Sequence, residues 1–350
     1  MKARLGAVLF GIGVFAVVIA AGLAFYVAPT VARLPYDLKL CTATVTEDCL
    51  RPSVAEATNA QFLYTKGEPT PEVAIKSGTL RSTTEISPLA DTTDKEFGDT
   101  DDTVVWQALG TNVWVEQSSE MISQYEALLA LDRDSAAAVE WTGQKLNDTE
   151  DPAPVTFQGQ LYKFPFGTEQ KTYEYFDRDL RKALPIEFKG TEEIQGLEVY
   201  RFEQVIPETD LGFDTERVAS LIGAFAPTAT AGTVNYANTR NIWVEPVTGQ
   251  FIKVSEQQRK TFVPNVGTPT QLLNGDFVYT EDTVTNNVES TSDTKSQVLL
   301  ISRYLPIGLA VLGALLLVLG LWMVTTGRRA AAAKHRHEEI TEDSDGKVTA

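Results

Sequence analysis

Two uncharged apolar runs, Leu5 to Ala28 and Tyr304 to Gly327, each 24 residues long, bracket everything else in this chain. A helix rising ~1.5 Å per residue crosses the ~30 Å hydrocarbon layer in about 20 residues. The pattern predicts a membrane hairpin, with spans 5–28 and 304–327, that holds residues 29–303 on one side of the bilayer. A cleaved signal peptide is the competing reading of the first run. That run outlasts the ~7–15 apolar residues of a signal sequence, and no clean A-x-A site follows it, so a retained anchor is expected.

Lys2 and Arg4 precede the first span, and Arg328, Arg329, Lys334 and Arg336 follow the second. The intervening stretch offers only Arg33 and Arg303 close to the spans. An excess of Lys and Arg marks the cytoplasmic flank. Residues 1–4 and the tail 328–350 are therefore expected inside, and 29–303 outside the plasma membrane, in the periplasm. Of the net charge of −17, the N-terminus takes +2 and the tail is neutral, which leaves about −19 outside. So acidic a domain is a poor partner for nucleic acid, which needs clustered Lys and Arg to displace counterions. The tail reads as a short helix from Ala330 to Ala333 fading into disorder; phosphorylation at Thr341 or Ser344 is weighed there against a plain solvated tail.

The two cysteines, Cys41 and Cys49, fall on the oxidising side, where exported cysteines usually pair. A structural disulfide closing a short loop is expected. Small residues recur in the spans (Ala7 and Gly11, Ala310 and Ala314), which ordinary membrane-helix composition explains.

Alternation and β-branched residues dominate 29–303, which predicts a mainly antiparallel β domain with minor helix. Glu198–Ile206 alternates almost perfectly. Ile242–Glu245 and Gln250–Ser255 flank the turn Pro246–Gly249, and Ser123–Leu131 with Ala136–Trp141 flank Asp132–Ser135; both pairs read as hairpins. Val104–Trp106 and Val113–Val115 read as two short strands. Helix is expected at Arg178–Leu184 and Thr215–Phe225. Asp91–Asp102 and Gly143–Pro154 read as exposed loops and possible domain seams, and 280–303 as a polar stalk.

Catalytic signals are absent. The only histidines, His335 and His337, lie in the tail, so Ser-His-Asp and Cys-His chemistry lack their base outside, and zinc lacks ligands. No nucleophile elbow, Walker loop or dinucleotide fingerprint occurs. Asp99–Asp102 and Asp132–Asp134 offer oxygens at i, i+2 spacing. Counted from Asp132, however, the calcium-loop positions six and twelve hold Ala137 and Gly143. No enzyme, metal or cofactor is expected. The densest aromatic stretch comprises Phe157, Tyr162, Phe164, Phe166, Tyr173, Tyr175 and Phe176. In an extended chain Tyr162, Phe164 and Phe166 share one face, and so do Tyr173 and Tyr175. They form either an apolar groove for acyl chains or ordinary sheet core.

Several phrases carry a family resemblance: Phe25-Tyr-Val-Ala-Pro29, Phe164-Pro-Phe-Gly-Thr-Glu-Gln-Lys-Thr-Tyr173, Gly196-Leu-Glu-Val-Tyr-Arg-Phe202 and Arg240-Asn-Ile-Trp-Val-Glu-Pro-Val-Thr-Gly249. With them the chain resembles, over essentially its whole length, the actinobacterial porin-PorA-like family of two-span envelope proteins. The porin label implies a barrel wall facing lipid, whereas this chain reaches lipid through two helices. PgfA-like members imply another role: a non-enzymatic accessory that handles trehalose monomycolate beside an MmpL-type exporter during envelope assembly and polar growth. No functional residues carry over. The expected function is thus that of an envelope accessory binding a glycolipid, with a protein scaffold or polarity factor, a channel component and a carboxylate-based enzyme as the alternatives.

Overall fold

The computed structural model describes residues 2–41, 49–67, 72–98, 102–148 and 154–345. The chain forms two compact units, Met1–Ala32 with Lys295–Ala350, and Arg33–Thr294. In chain order come α1 (Lys2–Gly22), a π-helical turn (Leu23–Val27), α2 (Ala28–Val31), β1 (Lys39–Leu40), β2 (Cys49–Leu50), β3 (Ser53–Lys66), β4 (Glu72–Pro88) and α3 (Ala90–Phe97). They are followed by β5 (Thr103–Trp114), β6 (Glu120–Asp132), β7 (Ala138–Val139), β8 (Lys145–Asn147), β9 (Tyr173–Asp177), β10 (Lys182–Ile194) and β11 (Leu197–Asp210). The remainder is α4 (Thr215–Phe225), β12 (Gly232–Val244), β13 (Phe251–Pro264), β14 (Thr270–Tyr279), α5 (Glu281–Leu299), a second π-helical turn (Leu300–Tyr304) and α6 (Leu305–Asp345).

In the larger unit eleven strands form one antiparallel path, β7-β6-β5-β4-β3-β14-β13-β12-β11-β10-β9, curled into a half-barrel, with β8 beside β6. Period-two patterning drives this. Along β12, Val234, Tyr236, Asn238, Arg240, Ile242 and Val244 are all buried while their neighbours are not, the signature of a strand with one face turned inward. The strands reached first and last by the chain, β3 and β14, pair in the middle of the sheet, Ala55 opposite Tyr279. Both expected hairpins form, as Ala130 opposite Val139 and as the β12–β13 pair around residues 245–250.

Four expectations are corrected. The two short strands at 104–106 and 113–115 are parts of one strand, β5, which ends at Trp114 and runs unbroken through Gly110. Asp91–Asp102 is mostly helix α3, whose last residue Phe97, with Leu89 just before the helix, packs with Val105 and Trp141 on the outer face of the sheet; residues 99–101 lie outside the described set. The polar stalk is helix α5: Val284 and Val288, four apart, bury one stripe against Leu197, Val199 and Ile252, leaving the Thr, Asn and Ser positions around it. Arg178–Leu184 is a turn entering β10. The Asp177 carboxylate accepts the Leu180 amide at 2.9 Å, a side-chain turn that outcompetes helix. Thr215–Phe225 is helical as read, capped by Asp214, which accepts the Arg217 amide at 2.8 Å. Cys41 and Cys49 are bonded at 2.03 Å, beside the parallel β1–β2 pair.

The two edges of the curled sheet are tied through Gly159, whose carbonyl accepts the Ala138 amide of β7 at 2.8 Å, and Gln160. Gln160 bridges Ala137 near β7 and Tyr175 of β9. Its amide donates to the Glu174 carbonyl at 2.7 Å, and its carbonyl accepts the Phe176 amide at 3.1 Å. Gly159 makes this possible: at φ +68° it brings the backbone so close to β9 that a Cβ would stand 2.3 Å from the Glu174 oxygen.

In the smaller unit α1 and α6 pack antiparallel along a seam of glycines seven apart. A Cβ on Gly6 would meet the Gly320 oxygen at 2.8 Å, and one on Gly13 the Gly313 oxygen at 2.8 Å. Gly11, singled out from sequence, faces open space. Beyond the seam the apolar side chains, Phe15, Phe25, Val318 and Trp322 among them, are exposed, as they are on helices solvated by lipid. The helix ending at Asp345 takes in most of the tail read as disordered, consistent with its alanine-rich, charge-mixed composition.

Candidate functional site

The interior of the half-barrel is layered. At one end of the inward face Val234 and Phe262 pack with Leu221 of α4. At the other, Ile242 and Val244 pack with Phe164, Ile186, Phe202 and Phe251. Between them lies a polar layer, because β12 carries Asn238 and Arg240 at the same parity as its apolar residues. Cross-strand register places Gln204 and Glu256 on either side of Arg240. Arg240 donates to Glu256 at 2.6 Å, to Asp177 at 3.1 Å and to the Gln204 carbonyl oxygen, with its guanidinium 5.1 Å from the Tyr175 ring. Tyr236 donates to Asp177 at 3.2 Å, Asn238 to Glu256 at 3.2 Å and Lys260 to Asp179 at 2.6 Å.

Charges buried this deeply persist only where partners replace water. Burial pushes the Glu256 carboxyl up, but the Arg240 charge and hydrogen bonds reverse this and hold it below the usual range. Asp179 is likewise raised by burial and brought below the usual range by Lys260 and Arg178. Asp177 goes the other way: burial outweighs Arg240 and raises it.

One cation stands apart. Arg178, at the tip of the β9–β10 turn, lays its guanidinium 3.9 Å from the ring centre of Tyr125 on β6, across the interior. Among the described residues it makes no hydrogen bond or ion pair. Around it, burial raises Tyr162, which shares a hydrogen bond with Tyr125, and raises Tyr175 as well. Burial also pushes Tyr279 up to about 12. All four tyrosines keep part of their surface accessible, so the lining is enclosed but open.

The aromatic stretch divides. Phe157 and Phe176, 4.9 Å apart, join the core of β5 and β6. Phe164 and Tyr173 join the opposite cluster, Phe164 lying 4.8 Å from Phe202. Tyr162 and Tyr175 border the polar layer. The shared face expected for Tyr162, Phe164 and Phe166 does not form, because Tyr162 has φ +60° and no strand spans 162–166. Phe166 instead takes the Lys163 side-chain nitrogen over its ring at 4.1 Å. Arg178, Arg240, Glu256 and Asp177 were missed. The signal was there for Arg240, a charged residue at core parity in a well-alternating strand.

Lys163 is almost wholly buried beside the 245–249 turn, donating to the Thr248 carbonyl, with Glu245 near. Burial lowers its pKa to about 7, opposed by Glu245. The native state therefore stays neutral while the unfolded chain takes up a proton as pH falls from about 10.5 to 7. This lysine's contribution to stability is full above pH 10.5 and lost as pH falls to about 7, several kcal/mol at roughly 1.4 per unit. In Lys163→Met, unfolding measured against pH is expected to lack this component. The variant should gain most over wild type near pH 7 and least near pH 10; equal slopes would refute the assignment.

The acidic loop tips are internally satisfied. Asp132 accepts the Ser135 amide at 2.7 Å and hydroxyl at 2.6 Å, and Asp134 pairs with Arg33 at 2.7 Å. Among the described residues no three metal-ligating side chains converge; Asp99 and Asp101 lie outside them.

The family model described as Porin PorA matches residues 5–322. Similar curated proteins include a "Porin PorA" of Corynebacterium resistens (strain DSM 45100 / JCM 12819 / GTC 2026 / SICGH 158), 32% identical over 124 residues, covering 32% of this chain and 30% of that protein. A "Porin PorA" of Corynebacterium amycolatum is 37% identical over 65 residues, 19% of this chain and 17% of that protein. The chain thus matches less than a third of the length of either relative.

Proposed function

The chain belongs to the Porin PorA family, and from that premise we propose that it is a non-enzymatic envelope accessory. In this reading it carries a glycolipid such as trehalose monomycolate in the curled sheet, held outside the plasma membrane beside an MmpL-type exporter. The observation that carries the reading is the layered interior: aromatic and aliphatic walls suited to an acyl chain adjoin a hydrogen-bonding layer suited to a polar headgroup. Each methylene buried there contributes ~0.8 kcal/mol. The two apolar helices supply the anchor, with both termini cytoplasmic by the Lys and Arg bias. Purifying the full chain from its own membranes and analysing the organic extract tests the carrier role. A co-purifying long-chain glycolipid is expected, and a lipid-free protein that takes up no acyl ligand would refute it. An impermeant label on intact cells should miss tags at both termini.

The family description favours a second reading, a channel component. Against a wall facing lipid stand the charged outward positions Arg201 and Glu203 on β11 and Lys253 and Arg259 on β13, the two strands that flank β12, where a membrane barrel carries an apolar band. Stepwise conductance in planar bilayers would favour the channel.

A further inference from the structure

We propose that Arg178, with the hydroxyl of Tyr175, is the headgroup-reading element of the interior, and that the headgroup it accepts is an uncharged, oxygen-rich polyol or its ester rather than a phosphate or carboxylate. The inference rests on the lipid-carrier reading above and narrows its ligand. Arg178 is the first argument. A guanidinium presents five N–H donors and is not deprotonated. Here it is fixed against Tyr125 at 3.9 Å and has no acceptor among the described residues. Such a cation, half-buried on the inner side of the curled sheet, is suited to an incoming acceptor.

Charge balance decides which acceptor. Arg240 is matched by Asp177 and Glu256, and Lys260 by Asp179. With Arg178 the layer holds three cations and three carboxylates, and Asp179 and Glu256 already favour the Arg178 charge. A phosphate or carboxylate would bring an unmatched negative charge into this balanced, poorly solvated layer. Hydroxyl, ether and ester oxygens accept from Arg178 without doing so. Tyr175 supplies the reciprocal chemistry. Its hydroxyl makes no hydrogen bond among the described residues, and it can both give and take one from a sugar hydroxyl.

The test uses the full chain held in amphipol and three single-chain amphiphiles below their micelle concentrations: sucrose monooctanoate, octyl phosphate and octanoate. Calorimetric titration of wild type is expected to show sucrose monooctanoate binding about tenfold or more tightly than either anion. Arg178→Leu is expected to weaken the sugar ester by about tenfold or more, the scale of hydrogen bonds to a charged group, and Tyr175→Phe by a few-fold. Octyl phosphate binding as tightly as the sugar ester would overturn the proposal, as would Arg178→Leu binding it unchanged. If Arg178→Leu fails to fold, unchanged affinity in Tyr175→Phe overturns it instead. Equal binding of all three amphiphiles sinks this inference and leaves the carrier standing, whereas no binding by any of them removes both.

Discussion

Arg240→Leu is expected to destabilise the β unit by about 3–5 kcal/mol, the range for removing one partner of a buried ion pair. Its guanidinium answers Asp177, Glu256 and Gln204 at once, so the substitution leaves two carboxylates without their cation. The pH dependence separates this cause from simple loss of packing. In wild type Glu256 sits below its ordinary range, so its stabilisation is present above the unfolded pKa and lost as pH falls through the depressed one. In the variant, burial without Arg240 raises Glu256, and acid should now restore stability as the carboxylate takes a proton. Adding Glu256→Gln should recover part of the loss at neutral pH, more than additivity predicts. Chemical denaturation of the full chain at two pH values reads all of this. A loss under 1 kcal/mol, or an unchanged slope with pH, would show the network to be ornamental.

The second large effect is expected from Gly159→Val. A β-branched residue at φ +68° strains the backbone by about 1–3 kcal/mol, and its Cβ would collide with the Glu174 carbonyl. Because Gln160 pairs with both Ala137 near β7 and Tyr175 of β9, relief of the clash should loosen the contact between these edges. Amide exchange should then accelerate at Gln160 and Phe176, whose hydrogen bonds close the gap, while β12 and β13 keep their protection. Unaltered exchange at both amides would mean that the edges are held some other way.

Much of this architecture was legible because it follows from short-range rules. Alternation found β11 and the β12–β13 hairpin, and length with hydropathy found the two long apolar helices. Legibility failed where one side chain outvoted composition. Asp177 turned a helix-like segment into a tight turn, and two valines four apart made a helix of what read as a polar stalk. The candidate site was less visible still. Its aromatics stood out as a cluster in sequence, yet four of the seven, Phe157, Phe164, Tyr173 and Phe176, fill core. The polar layer is assembled from β9, β11, β12 and β13 by register, which no local pattern encodes. Only the misplaced charge of Arg240 pointed to it.

The glycine seam between α1 and α6 has a mechanical consequence. With glycines seven residues apart on both helices, bare backbone meets bare backbone at one setting, and sliding by a single turn would drive Val17 or Leu317 into the gap. The next tolerated setting lies a full heptad away, about 10 Å at 1.5 Å per residue. The two helices are therefore geared together and shift along their axes only as one body. With the pair spanning a bilayer as proposed, a message passed through it would travel as tilt or rotation of the pair, not as a piston stroke of either.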